Sequence, residues 1–185
     1  MVPRSIGTRY AYQSLWGSVV PDEFVNESQP VILATRIKLH AAGRIVGCRY
    51  YRHKSSIGGN VGFLKPSLGA DQIYATTVFH HRNADEGPDE GEWQHAYFPR
   101  PYFRVEAEDQ VFVSVAFRQG LYYASRFVFD GTNLINGDIE GMQDGDGGVN
   151  GAYTYDADWN AYQTYNSSHY GIDILFLADH TVNPN

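Results

Sequence analysis

Turn residues divide this chain into short segments in which apolar and polar residues alternate, and no segment shows a convincing helical pattern. A period of two is typical of half-buried strands, whereas an amphipathic helix repeats about every 3.6 residues. Strands are predicted at residues 31–40, 44–52, 61–65, 72–79, 93–98, 111–117, 121–129, 152–155 and 170–176. This spacing predicts an all-β fold, an antiparallel β-sandwich or jelly roll of about ten strands with a short N-terminal arm.

The pattern also predicts connections and faces. Short turns at residues 41–43, 66–69 and 118–120 predict three hairpins. In residues 31–40 the odd-numbered positions are expected to form the buried face, and in the closing strand Tyr170, Ile172, Ile174 and Phe176 are expected to share one face. Residues 131–150 are rich in glycine without periodicity, and they are predicted to be the longest irregular segment.

The length of 185 residues is sufficient for one full-sized core, and a second large domain is not expected. We expect residues 1–13 to form an arm, residues 14–178 one β-sandwich module, and residues 179–185 a tail. The first residues lack an apolar core of the signal-peptide type, and no stretch reaches the roughly 20 apolar residues that span a bilayer. Neither a signal peptide nor membrane insertion is therefore expected.

Composition argues against several functions. The formal net charge of −7 provides no basic patch for phosphate, so nucleic acid is not expected as a partner. Cys48 is the only cysteine, which excludes an intrachain disulfide and predicts a small buried thiol. Aromatic residues make up 15% of the chain, including 14 Tyr, and such residues suit strands and contact surfaces.

No catalytic motif is present. A Gly-x-Ser-x-Gly elbow, an HExxH motif and a phosphate-binding loop are all missing from the sequence. His80 and His81 are adjacent, so on a strand they would point to opposite faces, and the seven histidines are expected at the surface or rim. The carboxylates of residues 85–92 are interpreted as a solvated acidic loop rather than a glycosidase pair. We predict that the protein is not an enzyme, with no catalytic residue and no cofactor.

One segment partly matches a calcium-binding loop. Asn136, Asp138, Glu140 and Gly141 occupy positions one, three, five and six, but Gly147 stands where a bidentate Glu is required. We interpret residues 136–147 as a mobile surface loop and predict no metal site. Calcium bound in another geometry stays open as an alternative.

An aromatic loop provides the candidate ligand-binding residues. Trp159, Tyr162 and Tyr165 lie among Asp, Asn, Gln and Thr, and Trp93 and Tyr122 would join them if neighbouring loops converge. Flat aromatic faces beside polar groups suit a glycan or a protein partner equally well. A third interpretation is that these rings close the open end of the sandwich core.

Several segments, in their order along the chain, resemble the motifs of one family. They are Ser14-Leu15-Trp16-Gly17, Gly43-Arg44-Ile45-Val46-Gly47-Cys48-Arg49-Tyr50-Tyr51-Arg52, Gly151-Ala152-Tyr153-Thr154-Tyr155 and residues 164–176. These segments are similar to the domain-of-unknown-function 4082 family, over approximately residues 14–177. The sequence departs from the family pattern at Gly171, where that family usually has Trp, and across residues 130–150.

The resemblance implies a β-sandwich without defined activity, of a kind found on bacterial surface proteins, carbohydrate-active enzymes and tail proteins of phages that infect actinobacteria. Together with the missing export signal, it leads to the hypothesis of a phage virion structural protein, a minor tail or accessory component. Its expected partners are other virion proteins, further copies of itself and a host-surface glycan. The alternative is a carbohydrate-binding module of a bacterial cell-surface or secreted protein.

Overall fold

The computed structural model describes residues 12–27, 29–56, 58–80, 91–156 and 162–181, and these residues form an all-β structure. Its strands are β1 (Glu23–Asn26), β2 (Val31–Leu39), β3 (Gly43–Arg52), β4 (Val61–Lys65), β5 (Ala75–Val78), β6 (Glu92–Tyr97), β7 (Phe103–Val105), β8 (Gln110–Phe117), β9 (Leu121–Ala124), β10 (Leu134–Asn136), β11 (Ile139–Gly141), β12 (Ala152–Thr154), β13 (Gln163–Thr164) and β14 (Ile172–Ala178). A single 3-10 turn, Asp179–Thr181, follows β14. Within this part of the chain, no helix is long and apolar enough to cross a membrane.

The strands form two main antiparallel sheets and one ribbon. The large sheet has the order β10-β11-β2-β8-β4-β5, with β12 also paired to β2 and β13 paired to β12. The small sheet has the order β14-β3-β6, and β7 pairs with β3 beyond β6. Strands β1 and β9 form the separate ribbon. The predicted antiparallel β-sandwich is confirmed, although it has fourteen described strands rather than about ten, because several strands of two to four residues escape a periodicity search.

The core lies between the inner faces of the two sheets. Leu33 and Ile37 of β2 and Val113 of β8 enter it from the large sheet, and Tyr50 and Ile174 enter it from the small sheet. The predicted shared face of the closing strand is confirmed, since its four members are all buried in this core: Tyr170, Ile172, Ile174 and Phe176. Cys48 is a buried free cysteine, as predicted, and burial raises the pKa of its thiol.

Two of the three predicted hairpins are wrong. After residues 41–43 the chain crosses from β2 in the large sheet to β3 in the small sheet, and after residues 118–120 it leaves β8 for the ribbon strand β9. The turn at residues 66–69 does join the paired strands β4 and β5. Turn residues show where a chain reverses, but the partner of the next strand depends on which surface of the sandwich is available to it.

The prediction of an irregular segment at residues 131–150 is also wrong in part. Strands β10 and β11 form a hairpin there, with Gly137 at φ 61° in its turn, and β11 adds to the edge of β2. Each strand has only three residues, which is too short for alternation to be visible.

Strand β2 is buried on both faces, not only on the predicted odd-numbered one. Ala34 and Arg36 point away from the core and are nevertheless buried. Arg36 donates hydrogen bonds to the carbonyls of Gln143 and Asp146, and Leu68, Val149 and Tyr162 pack in the cluster around Ala34. Loops that are distant in sequence therefore cover the outer face of the large sheet.

The side chain of Asn150 completes the edge of β2 between β11 and β12. Its Oδ1 accepts from the backbone N–H of Arg36 at 2.7 Å, and its Nδ2 donates to the carbonyls of Arg36 at 3.0 Å and Met142 at 2.6 Å. Strand β11 ends opposite Ile37 and strand β12 begins opposite Ala34, so on this edge of β2 no strand residue faces Arg36. The amide thus replaces a missing strand residue.

The β1–β9 ribbon packs beside the end of the small sheet. Tyr123 of β9 makes an edge contact with Tyr51 of β3, with ring centroids 5.0 Å apart, and Phe24 of β1 stacks on His53 at 3.8 Å. These contacts hold the ribbon next to the segment that enters β14. Gly171, where the sequence departs from the family pattern, immediately precedes β14, and its φ of 60° lies in the left-handed region that favours glycine.

Candidate functional site

Five tyrosines converge on one cleft between the β1–β9 ribbon and the segments around β12, β13 and β14. The cleft has a volume of about 250 Å³. Its lining residues are Val25, Glu27, Tyr122, Arg126, Tyr153, Tyr155, Tyr165 and Tyr170. We call it the tyrosine cleft.

Tyr122 and Tyr170 form its floor. Both are buried, and their rings meet edge to face at 5.8 Å between centroids. Tyr122 lies in β9 opposite Val25 of β1, and Tyr170 immediately precedes Gly171 and β14. The floor is therefore held by the ribbon on one side and by the small sheet on the other.

Tyr153 and Tyr155 form one wall of the cleft. Tyr165, which directly follows β13, also lines it. Tyr153 and Tyr155 are two residues apart on extended chain, so their side chains lie on the same side, with ring centroids 5.6 Å apart. Tyr153 donates its hydroxyl to Gln163 of β13 at 2.7 Å. Tyr155 and Tyr165 are exposed, so their rings are available at the mouth.

Two charged residues line the cleft, and they are partnered differently. Arg126 makes two hydrogen bonds to the Glu23 carboxylate, at 2.7 and 3.1 Å, and its guanidinium lies 4.8 Å from the Tyr165 ring centroid. Glu27 accepts a 2.5 Å hydrogen bond from the Tyr122 hydroxyl at Oε1. Its Oε2 is buried and has no hydrogen-bond partner of good geometry within the described part of the chain.

Three hydroxyls of the cleft, those of Tyr122, Tyr155 and Tyr170, have a raised pKa and stay protonated well above neutral pH. Burial, and then the Glu27 carboxylate, raise the pKa of Tyr155 to about 12. Burial raises the pKa of Tyr122 further, again with a contribution from Glu27. These hydroxyls are therefore hydrogen-bond donors at neutral pH, and none is prepared to act as a base.

A second depression adjoins the cleft and shares Tyr155 with it. Its volume is about 340 Å³, and Ile32, Phe117, Thr154 and Asp156 are among its lining residues. Tyr155 thus forms a common wall between two neighbouring spaces.

The structure brings together two of the five residues predicted from the sequence. Tyr122 and Tyr165 line the tyrosine cleft. Tyr162 packs on the outer face of the large sheet, where burial raises the pKa of its hydroxyl to about 12, and Trp93 lies under the guanidinium of Arg49 at 4.0 Å. Trp159 lies outside the described residues.

Sequence patterns do not single out the other members of the cleft. Tyr153 and Tyr155 stand out in the sequence only as part of a family motif, and Tyr170 only as a core residue. Glu27 and Arg126 stand in segments without a recognisable motif. The available signal was the Tyr-x-Tyr spacing, which places two rings on one side of a strand.

Other predicted features fall outside this site. Asp138 and Glu140 of the calcium-like segment accept from Gln13 and from His40 respectively, and across the described ranges no three His, Cys, Asp or Glu side chains gather as a ligand set. The expectation of surface histidines is wrong for His169, which is buried against Trp16. His81, the loop 81–90, the tail residues 182–185 and residues 1–11 of the predicted arm lie outside the described residues.

Comparison with known proteins places this architecture in a family. The family model described as Domain of unknown function (DUF4082) matches residues 18–172. The chain belongs to this family. The DUF4082 match includes every residue that lines the tyrosine cleft, from Val25 to Tyr170, while Leu15, Trp16 and Asp173 lie just outside it. No curated protein and no solved structure matches the chain significantly.

Proposed function

We propose that this protein is a non-catalytic binding module that holds a saccharide in the tyrosine cleft and is anchored through its N-terminal arm. The observation that carries the proposal is the convergence of five tyrosine rings on one cavity. Tyrosine presents a flat apolar face for the ring of a sugar and a hydroxyl for its polar edge. The cavity of about 250 Å³ lies just below the usual range for small-molecule sites, roughly 300–1,000 Å³, so it suits a ligand no larger than one sugar ring.

The direction of the N-terminal segment supports the anchoring role. Gln13 pairs with Phe176 as an antiparallel bridge, and the amides of Leu15 and Trp16 donate to Asp173. Going back from Trp16 to Gln13, the chain therefore runs along β14 away from Tyr170. Phe176 lies six residues after Tyr170, and the part of this segment that is strand, from Ile172 to Phe176, spans about 13 Å. The arm thus joins the module far from the tyrosine cleft.

The composition of the cleft supports a binding role rather than hydrolysis. Among the described residues that line it, Glu27 is the one carboxylate. Glycoside hydrolysis by the usual mechanisms requires two carboxyl groups facing the scissile bond. The module is accordingly proposed to bind without chemistry and to need no cofactor.

The setting we propose is a phage virion, in which the chain is a minor tail or accessory structural protein, repeated in several copies beside other virion proteins. The separation of arm and cleft supports this setting, because one end docks while the other reaches a host-surface glycan. A bacterial cell-surface or secreted carbohydrate-binding module is the second candidate, and the tyrosine cleft supports it equally. Mass spectrometry of purified virions distinguishes them, since only the virion protein is recovered there in stoichiometric amount.

The binding role is tested by titrating the full chain with a panel of neutral, acidic and amino-sugar oligosaccharides in a calorimeter. At least one should bind, and Tyr165→Ala should weaken that binding about five- to tenfold through lost ring contact. The matched control is Tyr97→Ala, because both rings are 52% exposed and Tyr97 lies outside the cleft. If no saccharide binds, or if both variants bind as the parent does, the proposal is wrong.

A further inference from the structure

Among the described residues, the Glu27 carboxylate in the tyrosine cleft has no cationic partner. The guanidinium of Arg126 is engaged by Glu23, whose two carboxylate oxygens both accept from it. Glu27, by contrast, has only neutral donors beside it, the hydroxyls of Tyr122 and Tyr155, and its Oε2 is buried without a hydrogen bond of good geometry within the described residues. A buried carboxylate oxygen without a donor is costly, and a ligand that supplies a donor removes that cost.

The rings around Glu27 suit a cation. The faces of tyrosine rings attract an ammonium group electrostatically within about 6 Å of the ring centroid, and sets of such rings recognise ammonium ligands. Five tyrosines line the space into which Glu27 projects, and Tyr155 and Tyr122 lie close enough for its charge to raise the pKa of both hydroxyls. The ring faces and the carboxylate therefore favour the same kind of ligand group.

We propose that the sugar recognised by the tyrosine cleft carries a free, protonated amine, which binds the Glu27 carboxylate between the tyrosine rings. This inference rests on the proposed saccharide-binding function and specifies its ligand as an amino sugar that is not acetylated. An N-acetylated sugar offers the carboxylate only a neutral amide N–H and no positive charge. An acidic sugar would bring a second negative charge, and Arg126 is already paired with Glu23.

The experiment compares glucosamine oligosaccharides with fully N-acetylated oligosaccharides of the same length, by calorimetric titration of the full chain at about pH 6, where the amine is charged. The glucosamine ligand should bind about tenfold more tightly, as expected for one charge-assisted hydrogen bond with cation–π contacts. Glu27→Gln should abolish this preference while retaining weak binding of both ligands. Glu106→Gln, at an exposed carboxylate outside the cleft, should leave it intact.

The outcomes separate this inference from the proposed function. Equal binding of the two oligosaccharides, unchanged by Glu27→Gln, overturns the amine preference and leaves saccharide binding in place. No binding of either one overturns both. Ethanolamine binding as tightly as glucosamine, lost in Glu27→Gln, supports the ammonium site and overturns the saccharide. A circular dichroism melt of each variant confirms that it is folded before its binding is interpreted.

Discussion

The carboxylate of Asp173 lies 2.8 Å from the guanidinium of Arg49, and both side chains are buried. The two residues face each other in the register of β14 and β3. Asp173 also accepts from the backbone amides of Leu15 and Trp16, at 2.9 and 3.0 Å. The Asp173 carboxylate therefore links β14 both to β3 and to the segment that contains Leu15 and Trp16. Burial raises the pKa of Asp173, while the Arg49 charge and the amide donors oppose that shift.

We expect Asp173→Asn to lower the free energy of unfolding by about 3–5 kcal/mol, because it leaves the Arg49 charge buried without its counterion. Urea denaturation measures this change. The matched control is Asp179→Asn, which breaks the 2.7 Å ion pair with Arg104 at a partly exposed position and should have a much smaller effect. Equal losses in the two variants would contradict the structural role of the buried pair.

Asn150→Asp should destabilise the protein by about 2–4 kcal/mol, because a carboxylate cannot donate to the carbonyls of Arg36 and Met142. Asn136→Asp is the control, since Asn136 is exposed and donates one hydrogen bond to the Ser14 carbonyl. That change should cost less than about 1 kcal/mol. Thermal melts of both variants test the difference. A tolerated aspartate at residue 150 would show that the edge of β2 does not depend on the amide.

His169 should make the protein sensitive to acid. Burial lowers the pKa of its ring to about 3 from an ordinary value of 6.5. Its Nε2 lies 3.3 Å from the Ile172 carbonyl, and Nδ1 accepts from the Gly171 amide, an arrangement that suits the neutral ring. The unfolded chain takes up a proton below about pH 6.5 and the folded chain does not. The contribution to stability is therefore complete above pH 6.5 and is lost as the pH falls towards 3.

Between about pH 6.5 and pH 4.5 this loss amounts to about 2–3 kcal/mol for a fully buried ring. Other groups also titrate in this range, so the measurement is the difference between the parent and His169→Gln in urea denaturation at the two pH values. The variant should lose less stability on acidification, whereas His180→Gln, at an exposed position, should lose as much as the parent. Parallel pH profiles for the parent and His169→Gln would contradict the assignment.

Tyr155→Ala should reduce the advantage of a disaccharide over a monosaccharide. Tyr155 is the wall common to the tyrosine cleft and the adjoining depression, so its removal affects contact with the second ring. We expect affinity for the disaccharide to fall about fivefold to tenfold, with a smaller change for the monosaccharide. Titration of both ligands provides the ratio, and Tyr97→Ala serves as the control. An unchanged ratio would mean that the ligand does not extend past Tyr155.

Prediction from the sequence succeeded where the signal is local. The alternation in residues 170–176 predicted which side chains of β14 are buried, and the turn at residues 66–69 predicted a genuine hairpin. It failed at residues 41–43, where the chain changes sheet, and at residues 131–150, where strands of three residues show no period. Of the residues that line the tyrosine cleft, only Tyr122 and Tyr165 were predicted as ligand-binding residues.

The sequence by itself determined the class of the fold, because side-chain alternation on a strand follows from backbone geometry within a few residues. Only the tertiary structure decided the site. Val25 and Tyr170 line the same cleft although they lie far apart along the chain, and they meet because the ribbon packs beside the entry to β14. Such convergence depends on which strands pair and where loops cross between sheets, and local periodicity contains no information about either.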